Sequence, residues 1–105
     1  MVLSRPEPEL AVLGLGKRDV AHDRGVPVPF AVRREGGDAE ASGSLRVLSL
    51  DDQHARCVLN ADQSLQPGDL VGLHVSHACT TFDKWRLLPL VDDNYLVLEA
   101  IRSYL

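Results

Sequence analysis

Apolar residues recur along this chain in short alternating runs separated by turn residues, a period-2 pattern that predicts strands. Residues 10–15 form an apolar run that closes on Gly14 and Gly16. Residues 26–33 alternate Val26, Val28, Phe30 and Val32 against Pro27, Pro29, Ala31 and Arg33. Proline has no backbone N–H to give a ladder, so this strand is expected to carry an unpaired edge or a bulge. Residues 35–43 (Glu-Gly-Gly-Asp-Ala-Glu-Ala-Ser-Gly) are polar and glycine-rich and predict a loop, the most mobile in the chain.

Residues 44–50 and 54–60 flank the turn Asp51-Asp52-Gln53 and predict an antiparallel hairpin. In its second strand Ala55, Cys57 and Leu59 share one face, so Cys57 is expected to be a small core residue. After the turn Gln66-Pro-Gly-Asp69, residues 70–77 place Val71, Leu73, Val75 and His77 on one face. A single turn is expected over 83–86 and strands over 86–91 and 95–105. The last segment also fits a helical face through Val97, Ile101 and Leu105, but its β-branched and aromatic residues favour the strand. Many short strands joined by turns predict an all-β chain, a small antiparallel barrel or sandwich, with no repeat and no internal linker.

At 105 residues the chain is long enough for one domain and too short for two. A net charge of -4, with eleven basic residues scattered along the chain, offers no electrostatic footprint for a phosphate backbone, which argues against a nucleic-acid partner. Charges at Arg5, Glu7, Glu9, Lys17, Arg18 and Asp19 break any secretory apolar region, and nowhere do about 18 apolar residues run together. A cytoplasmic protein off the membrane is the expectation, and in a reducing compartment Cys57 and Cys79 are expected to stay free thiols.

The chemistry concentrates in His77-Ala-Cys79-Thr-Thr-Phe-Asp-Lys-Trp-Arg86. On an extended chain, residues i and i+2 point the same way, about 6.5–7 Å apart, so an imidazole and a thiolate at that spacing reach one cation. Zinc takes such donors at about 2.0–2.1 Å from nitrogen and about 2.3 Å from sulfur. Two protein donors leave coordination positions open, which suits catalysis better than a closed structural site. The spacing alone fits equally well a histidine and a cysteine packed where a core strand ends.

Several segments together are similar to one known family: Gly14-Leu-Gly-Lys-Arg-Asp19, Gly25-Val-Pro-Val-Pro-Phe30, Asp52-Gln-His54, Pro67-Gly-Asp69, Ser76 through Arg86, Val91-Asp-Asp-Asn-Tyr and Ala100-Ile-Arg102. The chain resembles the carboxy-terminal β-domain of the D-serine dehydratase and D-threonine aldolase family, from about Ser4 to its end. That resemblance favours the metal reading of His77 and Cys79. It implies a fold-type III enzyme in which a pyridoxal-phosphate-binding (β/α)₈ barrel precedes the β-domain, supplies the cofactor lysine and assembles as a homodimer. Lys17 and Lys84, the only lysines here, do not match that lysine, so this chain by itself is not expected to take up pyridoxal phosphate covalently.

In the family the cofactor stabilises a carbanion at the substrate Cα while a metal assists the β-hydroxyl of a D-amino acid. Dehydratase members resemble His-x-Cys at this site, as here, and aldolase members His-x-Asp. Thiolate favours zinc, so the resemblance implies a zinc-assisted D-serine-type dehydratase or deaminase, with retro-aldol cleavage or a non-catalytic metal-binding or dimerisation module as alternatives. Ala78 stands where the family usually has proline, which removes a φ constraint. The same likeness makes His54 a candidate proton relay beside the cofactor, with a turn-capping histidine the plainer reading. Asp83, Lys84 and Arg86 follow the pair closely enough to orient it by hydrogen bonds, although a solvated turn is the usual fate of such a run. Trp85 is expected to anchor packing, His22 and His74 to lie on the surface or behind the ligands, and Lys17, Arg18 and Asp19 to decorate a turn or a subunit contact.

Overall fold

The computed structural model describes residues 1–104, so the final position of the strand expected over 95–105 lies outside the described residues. Nine strands and one short helix follow in order: β1 (Val2–Glu7), β2 (Leu10–Leu13), β3 (Val28–Arg33), β4 (Ala39–Ala41), β5 (Arg46–Leu50), β6 (Ala55–Val58), β7 (Leu70–His74), α1 (Ala78–Phe82), β8 (Leu87–Val91) and β9 (Val97–Arg102). All strand pairs are antiparallel and form three sheets, β1-β2-β6-β5, β4-β3-β7 and β8-β9. The all-β expectation holds in its sandwich form, with open sheets where a barrel would close on itself.

The core lies between the first two sheets. Val2, Ala11, Leu13, Val47, Leu50, Ala55 and Cys57 of the larger sheet meet Val32, with Leu45, Leu59 and Leu65 closing the sides. The face that alternation assigns to Ala55, Cys57 and Leu59 is buried throughout. Arg5 ties this sheet to the 60–65 loop, its guanidinium donating to the carbonyls of Pro8, Gln63 and Leu65 at 2.6–3.1 Å. Five donors in a rigid fork let one side chain satisfy several carbonyls that no strand pairs.

Three departures from the sequence reading have local causes. First, residues 35–43 are not only a loop. Gly36 and Gly43, both at positive φ, frame the short strand β4, which pairs with Ala31, Val32 and Arg33. Because β4 stops there and β3 bulges against β7 between Pro29 and Ala31, the prolines sit where the ladder makes no demand on them, and the expected bulge is present. Second, residues 2–7 make a strand that the apolar pattern does not announce, held as a bulged hairpin partner of β2. Third, β7 ends at His74 and not at His77, and residues 78–82 are helical, so the expected turn over 83–86 begins five residues early.

The β8–β9 hairpin meets the sandwich at its turn, where Arg33 of β3 donates to the Asp93 carbonyl and lies 4.8 Å from the Tyr95 ring centroid. Its strands pair from Leu87 with Arg102 to Val91 with Val97, and every residue of β9 is exposed. The radius of gyration, 14.0 Å, exceeds the value of about 13 Å expected for a compact chain of this length. No helix among the described residues is long and apolar enough to cross a membrane.

Gly16 is a point of close approach. A Cβ there would overlap the backbone of Asp51 and Asp52, where Lys17 and Arg18 donate backbone N–H groups to the carbonyls of Asp51 (2.9 Å) and Asp52 (3.0 Å). Gly16→Ala is therefore expected to lower stability in urea unfolding by about 1–3 kcal/mol, the usual cost of overpacking, and wild-type stability would contradict the contact.

Burial pushes the Cys57 thiol up from 9.0 to about 11. The unfolded chain loses this proton first, so stability is full below the unfolded thiol's value and falls as pH rises toward about 11. The loss is about 2–3 kcal/mol for a shift of this size. Cys57→Ala should lack this component, and identical alkaline slopes for the two proteins would contradict it.

Candidate functional site

The segment holding His77 and Cys79 cannot stabilise its own shape. Helix α1 is five residues long, buries none of them and has no side-chain cap at its N-cap residue, His77. So short a helix is far below the length at which one is stable alone. It is held instead by the loop between β2 and β3. The Ala21 N–H donates to Thr81 Oγ1 (2.9 Å), Ser76 Oγ donates to the Ala21 carbonyl (3.4 Å) and the Trp85 indole N–H donates to the Asp19 carbonyl (2.6 Å). Ala21 is fully buried, so the anchor point is fixed.

The same loop reaches the imidazole. Asp23 Oδ2 lies 3.2 Å from His77 Nδ1, and Asp23 Oδ1 accepts from Thr80 Oγ1 at 3.2 Å. The His77 bond is the largest influence on the Asp23 carboxyl and, against an opposing effect of desolvation, holds it below the usual carboxylate range, with the Asp23 backbone N–H and then Thr80 adding to the lowering. The carboxylate is ionised at neutral pH and accepts only, so the hydrogen in this contact belongs to Nδ1. Nε2 is then the ring nitrogen with a lone pair to offer when the imidazole is neutral.

Cys79 is an exposed free thiol in the first turn of α1, while Cys57 is the buried one, and no disulfide joins them. The extended-strand geometry expected for His77 and Cys79 is replaced by another. His77 is extended (φ -157°, ψ 123°) and the chain turns helical at Ala78, which puts the two donors on either side of a strand-like to helical transition. Among the described residues no group of three or more His, Cys, Asp or Glu side chains gathers as a metal site. The pair thus offers an imidazole with one nitrogen already tethered and a solvent-facing thiol. In donor chemistry these fit a zinc ion that takes its remaining ligands from elsewhere.

His54 lies at the start of β6's approach, exposed, in a shallow hollow with Arg18, Asp51, Asp52 and Gln53. Its backbone carbonyl accepts from the Asp51 N–H at 2.8 Å, and no hydrogen bond joins its ring to His77. The 16–23 loop touches both places, meeting the 51–52 turn at Lys17 and Arg18 and His77 at Asp23. Asp83 and Lys84 enter through backbone N–H groups that donate to the carbonyls of Cys79 (3.2 Å) and Thr81 (3.1 Å), and Arg86 through a carbonyl that accepts from Ser103. The side-chain bond to the His77 ring comes from Asp23, which pattern reading passed over because it is 54 residues away and belongs to no spacing motif. The signal available in the sequence is an acid in the turn-rich Asp23-Arg-Gly25 stretch, between the Gly14–Asp19 and Gly25–Phe30 segments that carry the family likeness. His74 stacks on Phe30 at 4.2 Å between ring centroids, and His22 is exposed.

The sequence itself matches a family model. Residues 1–91 match the model described as putative serine dehydratase domain, and the chain belongs to that family. Its context is therefore a lyase-type, serine dehydratase-like enzyme. The match takes in the loop, the His77–Cys79 turn and β8, and stops before β9. A comparison with curated proteins found no match.

A thiol reagent at neutral pH is expected to modify one cysteine per native chain, Cys79, and both after unfolding. Two equivalents in the native chain, or modification lost in Cys57→Ala and kept in Cys79→Ala, would contradict the burial assignment.

Proposed function

We propose that this chain is the metal-holding β-domain of a pyridoxal-phosphate-dependent D-amino-acid dehydratase, acting on a D-serine-like substrate. The observation that carries the reading is the His77–Cys79 turn, with the imidazole tethered through Nδ1 and the thiol open to solvent. Zinc bound there would supply Lewis-acid assistance to departure of the substrate's β-hydroxyl. The chain's own part is positional. Asp19, Ala21 and Asp23 hold the donor-bearing turn, His77 and Cys79 present nitrogen and sulfur, and the sandwich keeps the loop rigid. His54 remains the candidate for moving a proton, from a solvent-facing turn beside Arg18. Asp83, Lys84 and Arg86 shape the turn through their backbones. Thiolate as the second donor favours zinc and the dehydratase branch over retro-aldol cleavage.

The cofactor in this reading is held by a barrel domain beyond these 105 residues, on the same or another chain. The β8–β9 hairpin supports such a partner. Leu96, Val97 and Leu98 are each more than half exposed, on both faces of the ribbon, and a two-stranded ribbon by itself is marginal in water. Apolar surface of this kind commonly marks a docking face.

The test is zinc content and activity together. The chain should retain about one zinc after gel filtration in a zinc-containing buffer, and Cys79→Ala and His77→Ala should each lose it, as expected for a two-donor site. Mixed with a separately expressed family barrel domain carrying pyridoxal phosphate, wild type should release a 2-oxo acid and ammonia from D-serine. Equal zinc in wild type and both variants overturns the ligand assignment. Zinc binding without 2-oxo acid from the mixture overturns the dehydratase assignment.

A further inference from the structure

We infer that Asp23 is the positioning residue of the metal site: its carboxylate holds His77 through Nδ1 and so selects Nε2 as the nitrogen that meets the cation. This rests on the metal reading of His77 and Cys79 and goes beyond it by assigning a residue, a ring nitrogen and a tautomer.

Three observations converge. The contact is direct, 3.2 Å from Asp23 Oδ2 to His77 Nδ1. Asp23 is itself held from the other side, its Oδ1 accepting from Thr80 Oγ1 at 3.2 Å, so one carboxylate spans the ring of the N-cap residue and a hydroxyl of the first helical turn. Its loop is pinned next to it, because the Ala21 N–H donates to Thr81 Oγ1 at 2.9 Å and Ala21 is fully buried. The carboxylate is thus carried by a loop anchored at Ala21 and meets a ring whose side chain is 35% exposed.

The chemistry follows from donor counting. An ionised carboxylate has lone pairs and no proton to give, so the bond requires hydrogen on Nδ1. In a neutral imidazole that leaves Nε2 unprotonated and able to bind a metal. A carboxylate behind a ligating histidine also raises its basicity and fixes its plane, and losing such a partner typically lowers metal affinity about 10–100-fold. Without Asp23 the ring would divide its time between tautomers and rotamers, and the open thiol of Cys79 would lose its partner donor.

The test combines a ring-nitrogen NMR measurement on the metal-free full chain with zinc affinity from competition against a chromophoric chelator. Long-range nitrogen–proton spectra, recorded where imidazoles are ordinarily neutral, report which nitrogen carries the hydrogen. Wild type should show His77 as the Nδ1–H tautomer. Asp23→Ala should shift it toward Nε2–H and weaken zinc about 10–100-fold. Asp23→Asn keeps an amide oxygen as acceptor and should keep the Nδ1–H tautomer with a smaller loss of affinity. Thr81→Val releases the Ala21 N–H bond without touching the imidazole, and should leave the tautomer unchanged and cost less affinity than Asp23→Ala. An Nε2–H tautomer in wild type overturns the inference. So does an Asp23→Ala protein with wild-type tautomer and affinity, or a Thr81→Val protein that matches Asp23→Ala in both readouts, since the carboxylate would then only hold the loop. Undiminished zinc affinity in His77→Ala would instead overturn the metal reading on which the inference rests, and the tautomer result would be unaffected by it.

Discussion

The candidate site depends on hydrogen bonds that cross from the β2–β3 loop to the turn after β7. Helix α1 has five residues, none buried, and no capping side chain, so neither hydrophobic burial nor helix propensity can hold it. Asp19, Ala21 and Asp23 supply the missing constraint, each bonded to a residue between 76 and 85. The loop is fixed in its turn at the opposite end, where Gly16 packs directly on the 51–52 backbone. The sandwich thus sets the position of the two candidate side chains through a loop with little regular structure. That is a common way for folds to carry chemistry, since loops on a rigid scaffold can present polar groups that a packed core cannot tolerate.

The two cysteines show how location separates packing from reactivity. Cys57 sits on the inner face of β6 with Ala55 and Leu59, and burial alone disfavours its thiolate. Cys79 lies in the first turn of α1, exposed, two residues from an imidazole and free of any bridge. Only the second is available to a cation or a reagent. The β8–β9 hairpin marks a second division. Its strands pair with each other but present Leu87, Leu90 and Leu98 to solvent, whereas Val2, Ala11, Leu13, Val47, Ala55 and Cys57 of the larger sheet are buried. A ribbon apolar on both sides reads as a central element of a larger sheet or interface, which agrees with a domain that works beside another.

Much of the sandwich was legible in the sequence because strand periodicity reports directly on a half-buried sheet. The β5–β6 hairpin, the buried face of Ala55, Cys57 and Leu59, and an interrupted ladder at the prolines, seen as a bulge between Pro29 and Ala31, all follow from period and turn chemistry. The first strand was not legible, since Ser4, Arg5, Pro6 and Glu7 break the alternation and its pairing with β2 is bulged. The end of β7 was misplaced because Val75 and His77 continue the alternation past the point where pairing with β3 stops at His74. Spacing picks out His77 and Cys79 but on an extended geometry that the backbone does not adopt, and Asp23 leaves no signal because a contact across 54 residues has no local period. Tertiary hydrogen bonds between loops are the part of a structure that sequence patterns describe least.

The central claim is that one cation meets both an imidazole nitrogen and a thiolate sulfur of this chain. X-ray absorption at the zinc edge on the zinc-loaded chain measures this directly. The account predicts a shell containing one sulfur at about 2.3 Å and one imidazole nitrogen at about 2.0–2.1 Å, completed by oxygen or nitrogen donors. A shell of oxygen and nitrogen with no sulfur, or one with two sulfurs, would contradict it.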